Sequence, residues 1–113
     1  MMMNRSGIVY FKDIMAGTIN ETDDGYAFEY LPQYLASTDA EPISLTLPLS
    51  KQKYKSNVLF SFFDGLIPEG WLLQIASSVW KIPLYDRMGL LLNLCHDCIG
   101  AVSIITNGDR QND

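Results

Sequence analysis

Hydrophobic and polar residues alternate in three short runs along the first third of the chain. These runs cover residues 8–11, 14–20 and 26–31. In the third run Tyr26, Phe28 and Tyr30 occupy every second position, so they share one face of a strand. Lys12-Asp13 and the Asp-Gly pair at residues 24–25 indicate tight turns between the runs. The pattern predicts an antiparallel meander with one buried face.

The chain is less regular over the next segment. Residues 32–36 are predicted to form a short helical turn. Residues 43–47 alternate again between Pro42 and Pro48, which predicts a fourth strand, since a proline cannot donate to a β-ladder. Residues 50–57 are polar and predict a surface loop. Three lysines surround Tyr54 there, a number of charges that is common in solvated loops.

The second half of the chain has helical spacing. Residues 69–80 predict a helix whose apolar positions cover an arc of roughly 200°, about twice what one core contact needs. We therefore expect Trp71 or Trp80, at opposite margins of that arc, to face something other than the core of this domain. A second helix is predicted from residue 85 or 86 to Cys95, and a last strand over residues 99–106.

These elements predict an α+β fold in which an antiparallel sheet of four to five strands is packed with two to three helices. A chain of 113 residues is long enough for one hydrophobic core. We expect a single domain over residues 1–113, with flexible ends at residues 1–6 and 107–113, and no room for a two-lobed kinase.

The composition narrows the range of possible functions. With 13 acidic and 8 basic residues the net charge is -5, which argues against direct binding to nucleic acid, because phosphate backbones are bound by basic clusters. No apolar run has the length of a signal peptide core or a membrane span, so we expect a cytoplasmic protein with no membrane contact.

No motif predicts catalysis or a bound cofactor. Gly65 and Gly70 have the spacing of a phosphate loop, but the lysine and the serine or threonine that hold phosphate and magnesium do not follow. The segment 95–98, Cys-His-Asp-Cys, has metal-ligand residue types, yet the chain has no other cysteine or histidine to complete a zinc site. The end of a helix also disfavours a reactive thiolate. We expect no metal and no enzymatic activity, and the role of Cys95 and Cys98 stays open.

Aromatic and aliphatic residues crowd around a Pro-Glu-Gly turn at residues 68–70. Such anchors are typical of binding hot spots, although they could equally fill the core of this domain. We expect Phe60 and Phe63 to point inward and Trp71 to protrude. The candidate partner-binding residues are Phe63, Asp64, Gly65, Leu66, Ile67, Pro68, Glu69 and Trp71.

Four segments, in order, give a family resemblance. They are Ala16-Gly17 with the Phe28-Glu29-Tyr30 strand and Tyr34-Leu35, the run at residues 43–49, the signature at residues 62–70, and Leu91-Leu92 leading to residues 97–102. Together they resemble the N-terminal subdomain of HipA-type toxin kinases over about residues 8–105. A free-standing version is similar to the HipS antitoxins of HipBST toxin-antitoxin loci.

The resemblance implies a non-enzymatic antitoxin that binds a separately encoded HipT-like serine/threonine kinase. It further implies that the kinase is kept from phosphorylating a target such as an aminoacyl-tRNA synthetase. Contact with a HipB-like helix-turn-helix repressor would come through the complex. The alternative is a structural subunit that completes the kinase, or bridges it to the repressor, without inhibiting it.

Overall fold

The computed structural model describes residues 4–67, 70, 74–75, 78–79, 81–94 and 101–106. Five strands form one antiparallel sheet: β1 (Ser6–Phe11), β2 (Ile14–Thr22), β3 (Gly25–Tyr30), β4 (Tyr54–Ser56) and β5 (Val102–Thr106). Their order is β4-β3-β2-β1-β5. Three helices have defined bounds: α1 (Pro32–Leu35), α2 (Ser61–Asp64) and α3 (Arg87–Leu94). The predicted α+β fold is confirmed.

Several sequence predictions concern residues that the structure does not describe, or describes only in part. The predicted helix over residues 69–80 is described only at Gly70, Gln74, Ile75, Ser78 and Val79, all of which are helical. The last strand is predicted over residues 99–106, and residues 102–106 of that range form β5. Cys95 and the polar tail at residues 108–113 lie outside the described part.

Two tight hairpins build the meander. Phe11 pairs with Ile14 across Lys12-Asp13, and Thr22 pairs with Gly25 across the next turn. Lys12 and Asp13 have φ angles of 53° and 67°, the backbone of a turn with two left-handed residues. That turn twists in the same sense as the strands, so it closes the hairpin without splaying them.

One face of the sheet carries the core. Val9, Ile19, Phe28 and Ile104 come from four different strands, and each has 0% of its surface exposed. The helix α3 covers this face with Met88, Leu90 and Leu91, which are also fully buried. β1 and α3 approach closely at Gly7, since a Cβ there would lie 2.8 Å from Cδ2 of Leu92. The period-two and helical patterns therefore bury their apolar faces against one another.

The predicted fourth strand at residues 43–47 is wrong. Those residues form a tight turn with one isolated bridge between Ser44 and Leu47, and β4 lies instead at Tyr54–Ser56, inside the predicted surface loop. A strand would place Ile43, Leu45 and Leu47 on one face, but Ile43 and Leu47 are buried whereas Leu45 is 96% exposed. Ser44 Oγ accepts a hydrogen bond from the Thr46 N–H at 3.2 Å, which favours a turn over a strand.

Three tyrosine hydroxyls hold residues 41–48, which we call the tyrosine-anchored loop. The Tyr34 hydroxyl donates to the Glu41 carbonyl at 2.7 Å and accepts from the Glu41 N–H at 3.1 Å. The other hydroxyls bind further along the loop. Tyr30 accepts from the Ile43 N–H at 3.0 Å and donates to the Leu47 carbonyl, and Tyr54 donates to the Pro48 carbonyl at 2.6 Å. This irregular backbone thus finds partners that a sheet would otherwise supply.

Candidate partner-binding site

The predicted contact loop begins in α2, where the aromatic run makes one helical turn. Phe63 is fully buried, with its ring centroid 5.5 Å from that of Phe28, 5.2 Å from that of Phe62 and 6.2 Å from that of Phe60. Phe60 is partly buried against the core. Both phenylalanines therefore point inward, as the sequence predicts, and Phe63 fastens α2 to the sheet.

Beyond α2 the loop continues as a series of tight turns. The N–H of Leu66 donates to the Phe63 carbonyl at 3.0 Å, and that of Ile67 donates to the Asp64 carbonyl at 3.2 Å. Ile67 is only 3% exposed. Gly65 is exposed and Leu66 is half-buried. The loop therefore has an inner side made by Phe63 and Ile67 and an outer side that includes Gly65 and Leu66.

An ion pair links this loop to α3. Nε of Arg87, the first residue of α3, lies 2.7 Å from Oδ1 of Asp64, the last residue of α2. Both side chains are partly exposed, so the pair contributes on the order of 0.5 kcal/mol to stability. Its main effect is to orient the start of the loop relative to α3.

Exposed apolar side chains follow the loop in the sequence. Ile75 is 50% exposed and Val79 is 70% exposed, and four residues apart on a helix they lie on one face. Tyr85 is 85% exposed. Pro68, Glu69 and Trp71, three of the predicted contact residues, lie outside the described residues. An apolar stripe on a helix that its own core does not cover is typical of a docking surface.

We searched the described part of the chain for groups that could bind a metal or act in catalysis. No group of three potential metal ligands occurs there, and the Cys95 to Cys98 segment lies outside it. No helix described here is long and apolar enough to cross a membrane. The perturbed carboxyls are Glu21 and Asp86, and hydrogen bonds from Arg5 lower the pKa of each. Burial raises the pKa of Tyr30, whose hydroxyl serves the tyrosine-anchored loop.

Two arrangements were not predicted from the sequence. Arg5 binds Glu21 and Asp86, although residues 1–6 are predicted to be flexible. The tyrosine-anchored loop takes the place of a predicted strand. No local sequence pattern indicates either arrangement. Arg5 and Asp86 are 81 residues apart, and the sequence pattern marks the tyrosines only as core residues.

A family model and a solved structure point to the same family. Residues 7–105 match the family described as the HipA N-terminal domain. An uncharacterized protein of Haemophilus influenzae is 34% identical over 100 residues, which cover 88% of this chain and 91% of that protein. The solved structure of an N-terminal domain of HipA toxin superposes with a TM-score of 0.72 at 28% identity. That match covers 95% of this chain and 96% of the other.

Proposed function

This chain belongs to the HipA N-terminal domain family, and we propose that it is a non-enzymatic antitoxin subunit that binds and inhibits a HipA-type serine/threonine kinase. The family places it in the context of HipA-type toxin systems. In those systems the kinase activity lies in a separate C-terminal part, and this domain is a small non-catalytic unit. The partner in our proposal is a HipT-like kinase encoded by a separate gene.

The observation that carries the proposal is the exposed apolar stripe of Ile75 and Val79. A domain of this size could bury both side chains against its own sheet, and it leaves them half or more exposed. Burying such a pair in an interface would contribute about 1.5 to 3 kcal/mol for each side chain that becomes fully covered. A protein partner is the simplest source of that cover.

The contact surface that we propose is the outer side of the loop from Phe63 to Trp71, continued by this stripe. Phe63 and Ile67 support it from the core, whereas Gly65 is exposed and Asp64 and Leu66 are only partly buried. Pro68, Glu69 and Trp71 complete the proposed surface. Trp71 is the proposed anchor, presented toward the active-site cleft of the kinase or the hinge beside it, because a buried indole is a frequent hot spot.

Inhibition would suppress phosphorylation of the kinase target, which the family resemblance suggests is an aminoacyl-tRNA synthetase. The complex would act in the cytoplasm. Any contact with a HipB-like helix-turn-helix repressor, and through it with DNA, would be made by the complex, since the net charge of -5 disfavours direct contact of this chain with DNA.

The test is a phosphoryl-transfer assay with the purified HipA-type kinase from the same genome, with and without this chain. We expect the chain to bind the kinase and to abolish transfer. Trp71→Ala is expected to weaken binding by about a hundredfold, whereas Trp80→Ala, the same change at the other tryptophan, is expected to weaken it less.

Three outcomes discriminate the alternatives. Binding without inhibition, or with faster transfer, would favour a structural subunit that completes the kinase or bridges it to the repressor. Full neutralisation by Trp71→Ala would show that the anchor lies elsewhere. No binding by the wild-type chain would contradict the proposed function itself.

A further inference from the structure

The tip of the tyrosine-anchored loop presents one apolar side chain to solvent. Leu45 is 96% exposed, more than any other large hydrophobic residue in the described part of the chain. Its neighbours turn the other way, since Ile43 and Leu47 are 6% and 3% exposed. A single exposed leucine is ordinary on a protein surface, so exposure alone carries no argument.

What distinguishes Leu45 is how firmly its backbone is fixed. Ser44 Oγ accepts from the Thr46 N–H at 3.2 Å and lies 3.0 Å from Thr46 Oγ1. The Leu47 N–H donates to the Ser44 carbonyl at 3.1 Å, which closes the turn around Leu45. Each of these bonds spans only two or three residues, so the tip is fixed by its own local contacts.

Below the tip, the anchors belong to the core. The Tyr30 hydroxyl binds both ends of the turn, at the Ile43 N–H and at the Leu47 carbonyl. The Tyr30 side chain is 4% exposed, and its ring stacks on that of Tyr34 with an angle of 9° between their planes. The turn is therefore anchored at both ends by a hydroxyl whose ring is itself buried and packed.

A rigid tip lowers the cost of binding. A flexible loop must lose conformational entropy when it docks, whereas a loop already fixed in its bound conformation loses little. After Glu41 at the start of the loop, residues 42–50 contain no charged side chain, although 19% of the whole chain is charged. An occupant that matches this surface is an uncharged apolar pocket on a protein.

We infer that Leu45 is a preorganised apolar knob that inserts into an uncharged, leucine-sized pocket on the surface of the partner kinase. This inference rests on the proposed function and adds to it a second contact, made by a segment separate from the loop that ends at Trp71. The tyrosine-anchored loop thereby serves both the core, through Ile43 and Leu47, and the partner, through Leu45.

The experiment is a titration of the purified HipA-type kinase from the same genome with the full-length chain and its Leu45→Ser variant. We expect Leu45→Ser to weaken binding by about tenfold or more. The matched control is Val58→Ser, at another exposed aliphatic residue, 64% exposed, for which we expect a change of less than about twofold. Both variants are expected to unfold at the wild-type temperature.

Salt dependence sharpens the test. Because the proposed contact is uncharged, the ratio of the wild-type and Leu45→Ser affinities is expected to be the same at low and at high salt. Ser44→Ala, which removes the side-chain bond to the Thr46 N–H and keeps the leucine, is expected to give a smaller loss of affinity than Leu45→Ser.

The outcomes separate this inference from the proposed function. Tight wild-type binding with an unchanged Leu45→Ser affinity overturns the knob and leaves the antitoxin role standing. A lower unfolding temperature of Leu45→Ser would assign Leu45 to the fold and overturn the knob, as would wild-type dimerisation that Leu45→Ser abolishes. If the wild-type chain does not bind the kinase, both proposals fail together.

Discussion

The guanidinium of Arg5 donates two hydrogen bonds to the carboxylate of Asp86, at 3.0 and 2.8 Å, and so joins the beginning of the sheet to the beginning of α3. The same guanidinium binds Glu21 in β2 at 2.9 and 2.7 Å. Asp86 also accepts the N–H of Gly89 at 3.2 Å, which caps the free N–H groups at the start of the helix. One arginine thus fixes the position of α3 relative to two strands.

This network predicts a loss of stability in acid. Hydrogen bonds from Arg5 lower the pKa of Glu21 and of Asp86 in the folded chain. Their contribution is therefore complete above the unfolded pKa values near 4 and is lost as the pH falls through the folded values. The free energy of unfolding, measured in urea from about pH 7 down to about pH 3, is expected to fall over that window.

The control removes the shared cation. Arg5→Met is expected to cost about 1 kcal/mol at neutral pH, a value reduced by the partial exposure of the guanidinium, and to flatten the decline in acid. Lys12→Met removes an exposed pair with Glu41, at 3.3 Å, and is expected to leave the acid decline unchanged. An equally steep decline in Arg5→Met would mean that other carboxyls cause it.

Gly89 gives a prediction that opposes helix propensity. Alanine normally stabilises a helix by about 1 kcal/mol relative to glycine. At Gly89, however, a Cβ would overlap Oδ2 of Asp86 and lie 3.1 Å from a guanidinium nitrogen of Arg5. We expect Gly89→Ala to destabilise the chain by about 1 to 2 kcal/mol in urea unfolding, because it separates Asp86 from Arg5.

Gly65 is the matched control for this change. Its φ of -69° suits any residue, and a Cβ there would meet nothing closer than the Ser61 carbonyl at 3.3 Å. Gly65→Ala is expected to be neutral or to stabilise by about 0.5 kcal/mol, through the loss of freedom in the unfolded chain. Equal effects of the two substitutions would contradict a specific clash at Gly89.

The first hairpin turn predicts a stabilising substitution. Asp13 has a φ of 67°, a conformation that costs an ordinary residue about 1 kcal/mol and costs glycine little. Asp13→Gly is therefore expected to raise the free energy of unfolding by about 0.5 to 1 kcal/mol. Asp24→Gly is the control, because its turn has no left-handed residue and glycine there adds only unfolded-state entropy. A stabilising Asp24→Gly would refute this account.

The hairpins could be predicted from the sequence, since period-two alternation and turn residues are local signals. Residues 43–47 show where such signals fail. Their alternation predicts that Ile43, Leu45 and Leu47 share one buried face. The hydroxyl of Tyr30 instead binds both ends of the segment and holds it as a turn, with Leu45 exposed. That choice depends on a side chain 13 and 17 residues away, which no local pattern records.

The proposed contact loop after α2 was chosen from the aromatic crowding and the family motif, and it stays a prediction. The inward placement expected for Phe63 is confirmed by its full burial. The burial of Ile67 and the ion pair between Asp64 and Arg87 did not follow, because the core cluster and the ion pair join segments that are distant in the sequence. Tertiary contacts decide which side of a loop faces outward.

The two sides of the contact loop make opposite predictions for stability and binding. Phe63, fully buried among three aromatic rings, is expected to lose about 3 to 5 kcal/mol of stability on replacement by alanine. Leu66, half-buried on the outer side, is expected to lose less than about 1.5 kcal/mol as Leu66→Ala and yet to weaken kinase binding several-fold. Urea unfolding and kinase titration of the same preparations measure both quantities.

A milder core change keeps this comparison interpretable. Phe63→Leu retains most of the buried apolar surface, so we expect a folded chain that has lost about 1 to 2 kcal/mol of stability but binds the kinase within about threefold of wild type. Leu66→Ala is then the weaker binder at comparable stability. If Phe63→Leu weakened binding more than Leu66→Ala, the inner side of the loop would be exposed on docking, and the division into a supporting and a contacting side would be wrong.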